Sequence, residues 1–404
     1  MDTRRTLLVT LNGRDRPGVT AKLTQELAGY DVEVLDIEQI VVRGVLILGL
    51  LLGGRADVLG EVGAVARRIG AELGLNVEVV EGALEDDPRR RGRLAVTVLG
   101  SPLRPGALST LAQRIASEGA NIDRITRVAS YPVTAVELEV SGVDRDGLRR
   151  ALADQAITSH VDVAVQYAGL HRRGKHLVVM DVDSTLIQNE VIEVIARHAG
   201  CEAQVAAATA AAMNGEIEFA DSLRARVALL AGVDASVLDQ VRREITITPG
   251  ARTLCRTLKR LGYSLAVVSG GFSQVVDPLA DELGIDHSRA NMLEIVDGRL
   301  TGKLIGDIVD RDGKARALRD FAELDGIPLS RTIAIGDGAN DLDMLAAAGL
   351  GVAFNAKQVV REAAHTSVNV PFLDAVLYLL GITREQVEEA DAAAGVTTPA
   401  PLLR

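Results

Sequence analysis

Two aspartates that directly follow an apolar stretch are the first residues in this chain whose spacing could do chemistry. Residues 177–180 are continuously apolar and predict a buried strand, and Asp181 and Asp183 come at its C-terminal end. Ligands of open parallel sheets bind beyond the carboxyl ends of the strands, so both carboxylates lie where a reaction centre is expected. Mg²⁺, a hard cation that prefers oxygen ligands, would relieve the repulsion between the two charges. A solvated acidic turn after a strand would give the same local pattern.

A hydroxyl, a glycine backbone and a lysine that would complement these carboxylates occur further along the chain. Ser269 and Gly270 follow the predicted strand at 263–268, where the hydroxyl and the backbone N–H groups could hold the oxygens of an anion. Lys314 lies in the stretch R-D-G-K at 311–314, just before a predicted helix. Lys303 is the alternative cation, but it lies next to a predicted strand hairpin, so Lys314 is preferred.

A second acidic cluster is the loop G-D-G-A-N-D at 336–341, which follows the predicted strand at 332–335. The carboxyl ends of parallel strands meet at one edge of a sheet, so Asp337 is expected to reach the same cation as Asp181. The glycines of the loop let the backbone turn tightly around an ion. A calcium-binding loop is the alternative interpretation, but the spacing of an EF-hand and its closing glutamate are missing.

Taken in order, the four segments resemble the four motifs of the haloacid dehalogenase-like phosphatases. The stretch V-V-M-D-V-D-S-T-L-I-Q-N-E at 178–190 resembles the phosphoserine phosphatases within that superfamily. The resemblance implies hydrolysis of O-phospho-L-serine through an aspartyl-phosphate, with Mg²⁺ as the cofactor, in the last step of serine biosynthesis. Two alternatives stay open: an enzyme for another small phosphate ester, and a catalytically silent amino-acid sensor.

The resemblance also implies a role for each residue of the four segments. Asp181 is expected to attack phosphorus, and Asp183 is expected to act as the general acid and base. Asp183 is further expected to reach the metal through its backbone carbonyl. The metal is expected to be bound by Asp181, Asp183 and Asp337. The phosphate is expected to be bound by Lys314, Ser269, Gly270 and Asn340. Thr185 and Asp341 are expected to orient these groups.

Residues 190–248 form an alanine-rich, predicted helical stretch that resembles the small cap of this superfamily. A cap can close over the substrate and exclude water. The resemblance implies that Glu190 accepts from the ammonium group of phosphoserine and that Arg226 binds its carboxylate in a bidentate pair. Phe219 lies in the same stretch. For either charged residue taken alone, a solvated surface position is the alternative.

The N-terminal part repeats one pattern of predicted elements, β-α-β-β-α-β, the ferredoxin-like order. Both copies have a proline-glycine turn before the first helix and resemble ACT domains. The resemblance implies a regulatory amino acid, such as serine, because a glycine and a helix N-terminus together favour a carboxylate. The alternative is that these domains only pair subunits, and the second copy has no counterpart of Asp15. The residues expected near the effector are Asp15, Gly18 and Gly106.

Composition and charge limit what can be expected of the number of domains, the partners and the cell compartment. The 404 residues allow two or three domains, and 48% apolar with 25% charged residues describes a soluble globular protein. A net charge of −11 argues against a nucleic-acid partner. The two cysteines lack metal-binding spacing, no apolar run is long enough for a membrane span, and no signal-peptide pattern opens the sequence. These features favour the cytoplasm.

The expected fold is therefore α/β, with a doubly wound, mostly parallel sheet and a small helical cap, preceded by two ferredoxin-like α+β domains. A homo-oligomer, a dimer or higher, is expected from the ACT pair. The expected boundaries are ACT domains at 1–84 and 93–168, a charge-dense linker at 85–91, the phosphatase domain at 176–390 with its cap at 190–248, and a loose tail at 391–404.

Overall fold

A computed structural model describes the chain as two compact units, Met1–Pro88 and Arg89–Arg404. The described residues are 5–83, 93–169, 172, 174, 176–213 and 219–399, and for 209–213 the backbone alone is described. The predicted linker at 85–91, a part of the predicted cap at 214–218 and the end of the predicted tail at 400–404 lie outside the described residues.

The first unit has the predicted ferredoxin-like order. Its elements are β1 (Arg5–Arg14), α1 (Val19–Leu27), β2 (Val32–Val42), β3 (Val45–Gly54), α2 (Ala56–Leu73) and β4 (Asn76–Ala83). The strands form an antiparallel sheet in the order β2-β3-β1-β4. Because side chains alternate along β1 and β3, Leu7, Val9 and Leu48 share one face and pack with Leu23 and Val62 of the helices.

The second ferredoxin-like domain belongs to the other unit. Its elements are β5 (Leu94–Gly100), α3 (Pro105–Ser117), β6 (Asn121–Ala129), β7 (Thr134–Ser141), α4 (Arg145–Ser159) and β8 (Asp162–Tyr167), and the sheet order is β6-β7-β5-β8. All seven residues of β5 are buried. Val96 and Val98 pack with the helices of this domain, whereas Leu99 joins the core of the C-terminal sheet domain.

The C-terminal sheet domain is built on a seven-stranded sheet. Its strands are β9 (Leu177–Asp181), β10 (Ser264–Phe272), β11 (His287–Val296), β12 (Arg299–Ile305), β13 (Thr332–Gly336), β14 (Leu350–Phe354) and β15 (Thr366–Val368). Their order is β12-β11-β10-β9-β13-β14-β15; the β11–β12 pair is antiparallel and the other pairs are parallel. The prediction of a mostly parallel α/β sheet is confirmed. The central strand β9 is buried throughout, as its unbroken apolar sequence predicts.

A helical cap is inserted between β9 and the rest of this sheet domain. The cap helices are α5 (Val191–Ala199), α6 (Glu202–Met213), α7 (Phe219–Ala228) and α8 (Val237–Glu244). The two connections to the cap run side by side, since Ile187 and Ile247 form an antiparallel bridge and Gln188 N donates to Thr246 O at 2.8 Å.

The remaining helices cover the two faces of the sheet. They are α9 (Ala251–Arg260), α10 (Ser273–Leu283), α11 (Arg311–Leu324), α12 (Leu342–Ala347), α13 (Gln358–Ala363), α14 (Val376–Leu379) and α15 (Arg384–Ala393). Within the described part of the chain, none of the helices is both long enough and apolar enough to pass through a membrane.

Buried polar contacts join the second ferredoxin-like domain to the C-terminal sheet domain. Asp162 of β8 accepts a hydrogen bond from Ser367 Oγ of β15 at 3.1 Å. Arg172, which lies in the connection between the domains, is buried, donates to the Leu379 carbonyl oxygen and forms an ion pair with Glu137 of β7. These contacts, together with the apolar side of β5, explain why the two domains form one compact unit.

The C-terminal segment differs from the expected loose tail. The last helix, α15, continues to Ala393, so the expected tail start at 391 lies inside a helix. Asp391 is completely buried and pairs with Arg256 and Arg260 of α9, while Thr398 Oγ1 donates to it at 2.7 Å. Charges that are distant in sequence hold this segment, and the alanine-rich composition around it gave no sign of them.

Candidate active site

The carboxyl ends of three adjacent parallel strands, β10, β9 and β13, build one site at the edge of the sheet. Asp181 is the last residue of β9 and pairs in register with Val268, so Ser269 lies one residue beyond it on β10. Asp337 directly follows the last residue of β13, the strand on the other side of β9. The sheet register therefore brings side chains from three distant segments to one place, as ligand sites of open parallel sheets require.

Lys314 is buried between two carboxylates of this site. Its Nζ lies 2.8 Å from Asp181 Oδ1 and 2.7 Å from Asp341 Oδ1, and its side chain is 1% exposed. Burial by itself would lower the pKa of Lys314, but the two carboxylates outweigh it and hold the pKa above its usual value. Lys314 is therefore a fixed positive charge beside Asp181. The alternative cation, Lys303, is exposed on β12.

Three carboxylates converge where the sequence predicts a metal site. Asp181, Asp337 and Asp341 each place a carboxylate oxygen within 4.8 Å of the others. Burial and then the charge of Asp341 raise the pKa of Asp181, and the same two causes raise the pKa of Asp337 to about 6. Both oxygens of Asp341 are engaged, Oδ1 by Lys314 and Oδ2 by the backbone N–H of Gly338. A hard cation held by Asp181 and Asp337 would relieve the repulsion, so these donors fit a divalent metal ion.

Asp183 lies beside the three carboxylates, but its side chain is not part of their cluster. Its Oδ2 accepts from Ser269 Oγ at 2.9 Å, and its Oδ1 accepts from Val191 N at 2.7 Å. Ser269 Oγ in turn accepts from Gly271 N at 2.7 Å. Burial raises the pKa of the Asp183 carboxyl. The carboxyl is therefore held in one orientation, in surroundings that favour its protonated form.

Glycine is required at two positions of this site. A Cβ atom at Gly336 would lie 2.4 Å from Asp341 Cγ, and one at Gly271 would lie 2.9 Å from both Asp183 Oδ2 and Ser269 Oγ. A side chain at either position would displace a carboxylate or the serine hydroxyl. The glycines of the G-D-G and S-G-G segments thus allow close approach of side chains to the backbone, rather than an unusual backbone angle.

The other predicted residues surround the same carboxylates. Thr185 Oγ1 donates to Asp337 Oδ1 at 3.0 Å and so orients that carboxylate. Asn340 is half-buried in the loop that carries Asp337. Gly270 is also half-buried, and the ring of Phe219 from the cap lies against it. The phenyl ring therefore covers the site from the cap side.

Two charged residues of the cap region face Asp183. Glu190 Oε1 accepts from Ser184 Oγ at 2.9 Å, and burial, reinforced by the charge of Asp183, raises the pKa of Glu190 to about 7. Arg226 of α7 is part-buried; burial lowers its pKa, while the carboxylates of Glu190 and Asp183 act in the opposite direction. The arrangement places an acid and a guanidinium together above the sheet, on the Asp183 side of the site.

Asn291 is a contributor that the motifs did not indicate. It is 2% exposed on β11, its Nδ2 donates to the Gly270 carbonyl oxygen at 2.8 Å, and its Oδ1 accepts from Val309 N at 2.8 Å. The amide thereby fixes the backbone that follows Ser269. The available signal was a single asparagine inside an otherwise strand-forming stretch, A-N-M-L at 290–293.

Family profiles match all three domains of the chain. Residues 178–346 match the haloacid dehalogenase-like hydrolases, and residues 5–80 and 94–166 each match an ACT domain. The predicted domain types are thereby confirmed.

Similarity to individual proteins extends over nearly the whole chain. A Streptomyces coelicolor protein named phosphoserine phosphatase is 62% identical over 390 residues, which are 96% of this chain and 95% of that protein. A Mycobacterium tuberculosis protein named phosphoserine phosphatase SerB2 is 50% identical over 396 residues, 97% of each chain. A solved Vibrio cholerae structure, described as a probable phosphoserine phosphatase in unliganded form, shares 31% identity, covers 77% of this chain and 91% of its own, and has a TM-score of 0.58.

Proposed function

The chain belongs to the phosphoserine phosphatase family, and on that premise we propose that it hydrolyses O-phospho-L-serine to L-serine and phosphate with Mg²⁺ as the cofactor. The observation that carries the proposal is the buried Asp181, which lies 2.8 Å from Lys314 Nζ and within reach of Asp337, with Asp183 beside it. In a cell this reaction would be the last step of serine biosynthesis. Two free, buried cysteines are compatible with a reducing cytoplasm.

Asp181 is the proposed nucleophile. Uncatalysed hydrolysis of a phosphate monoester is so slow that an enzyme must lower the barrier by roughly 20 kcal/mol or more. A carboxylate that attacks phosphorus splits this step into formation and hydrolysis of an aspartyl-phosphate. The attacking group must be anionic although burial raises its pKa, and the adjacent Lys314 opposes that shift. Lys314 and the backbone at Gly270 would also hold the phosphate oxygens as charge moves between them.

Asp183 is the proposed general acid and base. Its carboxyl would donate a proton to the serine oxygen as the ester bond breaks, and would then take a proton from the water that attacks the aspartyl-phosphate. The burial that raises its pKa favours the protonated form needed for the first step. Its hydrogen bonds to Ser269 Oγ and Val191 N keep the carboxyl in one orientation.

A magnesium ion bound by Asp181 and Asp337 would supply positive charge to the phosphate oxygens during transfer. Asp341, whose two oxygens are already engaged, would position Lys314 and the loop at Gly338 rather than coordinate the ion directly. This assignment is the one expected from the sequence, in which Asp341 orients its neighbours and Asp181 and Asp337 offer carboxylate oxygens to the ion. Asp183, by its side chain, belongs to proton transfer, and its expected metal contact through the backbone carbonyl stays a proposal.

The pair of Glu190 and Arg226 is proposed to select the amino-acid part of the substrate. A phosphoserine whose phosphate lies at Asp181 presents its ammonium and carboxylate groups toward the cap. Arg226 can bind a carboxylate through two parallel hydrogen bonds, and Glu190 can accept from an ammonium group. Both residues lie close enough to Asp183 for its charge to influence them, so they fit the side of the site where the serine oxygen leaves.

The test of this function is magnesium-dependent phosphate release from a panel of small phosphate esters, measured for the wild type and for Arg226→Gln. We expect phosphoserine to be the best substrate and chelation of the metal to abolish turnover. Arg226→Gln is expected to lower kcat/KM for phosphoserine by about 100-fold, the loss that corresponds to about 2–3 kcal/mol for a charged hydrogen-bonded pair. Hydrolysis of an aryl phosphate, which has no carboxylate, should change by less than about threefold.

Arg224→Gln is the matched control for that experiment. Arg224 lies on the same helix, is exposed and pairs with Asp221, so its replacement should leave both substrates unaffected. Equal losses for phosphoserine and the aryl phosphate in Arg226→Gln would show that Arg226 does not recognise the amino-acid part. Preference of the wild type for another ester would identify a different substrate within the same chemistry.

Glu190 gives an expected pH dependence. Because its pKa is raised to about 7, its carboxylate is present above that pH and is protonated below it. A protonated Glu190 cannot accept from the substrate ammonium group with full strength, so kcat/KM for phosphoserine should fall as the pH decreases through about 7. In Glu190→Gln this step should vanish and kcat/KM should lie about tenfold or more below the wild-type plateau. Glu202→Gln, an exposed acid on α6 whose charge is not among those acting on Glu190, should keep the wild-type profile.

The first ACT domain is proposed to bind a small amino acid such as L-serine. Gly18 precedes α1 with a φ of 91°, and a cavity of about 290 Å³ next to it is lined by Asp15, Thr20 and Gln39, among others. Gly106 is placed differently, since it follows Pro105 inside the first turn of α3. The Gly18 turn is therefore the better candidate.

Calorimetric titration of the full chain with L-serine tests this effector site. Saturable heat is expected in the wild type, with at least about tenfold weaker binding in Asp15→Asn and unchanged binding in the exposed control Asp31→Asn. Absence of heat in the wild type would remove the effector proposal. Sedimentation of the same samples reports assembly. Assembly is proposed because the outer face of β2 and β3 exposes an apolar surface that includes Ile40, Val42 and Ile47.

A further inference from the structure

A large cleft lies within the second unit, between α4 of the second ferredoxin-like domain and the phosphatase domain. Its volume is about 1530 Å³, above the usual range for small-molecule sites of roughly 300–1,000 Å³. One wall carries Arg149 and Arg150 of α4, and the opposite wall carries Arg361 of α13 and Arg252 of α9. The cleft is separate from the carboxylates of the candidate active site, none of which lines it.

Two of these arginines have buried polar atoms that the protein itself does not satisfy. The Nε atoms of Arg149 and Arg361 are buried and have no hydrogen-bond partner among the described residues. A guanidinium stays charged at all ordinary pH values, and leaving a buried donor unsatisfied is unfavourable. One arginine with an unsatisfied Nε thus lines each wall of the cleft and adds positive charge there.

The acidic residues around the cleft are already engaged or lie at its edge. Asp162 accepts from Ser367 and from Asn369, and Asp374 pairs with Arg384 through one oxygen. Burial raises the pKa of both Asp162 and Asp374. Glu362 accepts from Gln358 and Asp154 is exposed, whereas Arg252 pairs with Glu282 outside the cleft. Arg149 and Arg361 form no ion pair with a described residue, although the charge of Arg361 acts on Asp162 and that of Arg149 acts on Asp146, so both can still bind an oxyanion.

We propose that this cleft is a binding site for a small anionic metabolite that carries phosphate or carboxylate groups, held between Arg149 and Arg361. Guanidinium groups bind both kinds of oxyanion through paired N–H donors, so the shared feature of the ligand is two or more negative oxygens. A ligand that touches both walls would bridge the ferredoxin-like domain and the phosphatase domain.

The position of the cleft links it to the cap. Gln188, Thr246 and Ile247 line the cleft, and these residues form the two adjacent connections between the cap and the sheet. A ligand bound here would contact the segments that must flex when a cap opens and closes. The site is therefore placed to couple an anion bound outside the active site to access of the substrate.

Calorimetric titration of the metal-free full chain with pyrophosphate and, separately, with citrate tests the proposal. The two probes distinguish phosphate from carboxylate recognition. We expect at least one of them to bind, and Arg149→Gln/Arg361→Gln to weaken that binding by at least tenfold. Arg145→Gln/Arg289→Gln removes the same charge from two arginines that do not line the cleft and already have acidic partners. This control should bind the probe like the wild type.

Two further variants make the result decisive. Ala153 is exposed and lines the cleft, so Ala153→Trp should obstruct the ligand without changing charge or core packing. It should weaken the probe by at least tenfold even if the double arginine variant folds poorly. Arg226→Gln in the cap should retain the cleft binding. Lack of binding by both probes would overturn the proposal. Binding that is lost in Arg226→Gln but kept in Ala153→Trp would also overturn it, because that result would place the anion in the active site.

Discussion

Asp181→Asn is expected to lower kcat/KM for phosphoserine by at least about 10⁴-fold, because an amide nitrogen or oxygen cannot form the acyl-phosphate that carries the reaction. The substitution keeps the size of the side chain, and the amide oxygen can still accept from Val182 N, as Oδ1 does now. Steady-state phosphate release with saturating magnesium measures the loss. Residual activity above about one-tenth of the wild type would show that another group attacks phosphorus.

Loss of activity in this variant must be separated from loss of structure. Burial and the charge of Asp341 raise the pKa of Asp181, so the anionic carboxylate is unfavourable in the metal-free protein. A neutral amide removes that repulsion, and thermal unfolding of metal-free Asp181→Asn should therefore occur at the wild-type temperature or above it. Asp297→Asn serves as the matched control, because this exposed turn residue has a φ of 49°, which asparagine adopts readily. It should keep full activity.

The positions of the reacting groups could be predicted from the sequence because each depends on a local pattern. A buried strand ends at Asp181, another runs into Ser269, and a third ends before Asp337; an apolar run followed by polar residues marks all three. Parallel pairing then brings the strand ends together without further information. The ferredoxin-like repeats were predictable for the same reason, since alternating strands and periodic helices are short-range signals.

Contacts between distant segments could not be predicted in this way. The sequence does not show that Lys314 is shared between Asp181 and Asp341, that Asn291 fixes the Gly270 backbone, or that Asp391 is buried against two arginines of α9. Each pairing depends on how helices pack on the sheet, which a single sequence leaves open. The cleft at Arg149 is the same kind of feature, because its walls come from separate domains.

Lys314→Met is expected to destabilise the metal-free protein and to remove activity together. Lys314 is a buried cation between Asp181 and Asp341, and removing one partner from a buried ion pair typically costs about 3–5 kcal/mol because the remaining charge is left uncompensated. Methionine fills a similar volume, so the change isolates charge. Urea unfolding should show a lower midpoint with an unchanged slope, since the surface exposed on unfolding stays the same.

The matched control is Lys303→Met, which replaces an exposed lysine of β12 by the same residue. Its free energy of unfolding should stay within about 0.5 kcal/mol of the wild type, the usual range for surface changes. The activity of Lys303→Met should be normal, whereas that of Lys314→Met should fall by at least about 10³-fold. The reverse result would make Lys303 the cation of the reaction.

Added magnesium distinguishes whether Lys314 takes part in the reaction or only compensates buried charge. If Asp181 and Asp337 bind the ion, added metal supplies the positive charge that the variant lacks and stabilises the folded state by mass action, by about 2.7 kcal/mol at 100 times its Kd. The midpoint of Lys314→Met should therefore recover most of its loss in magnesium. Activity should stay low, because the variant lacks the ammonium group that would hold phosphate oxygens. Recovery of both the urea midpoint and the activity would mean that Lys314 only compensates buried charge. If neither the midpoint nor the activity recovers, the three carboxylates do not form a metal site.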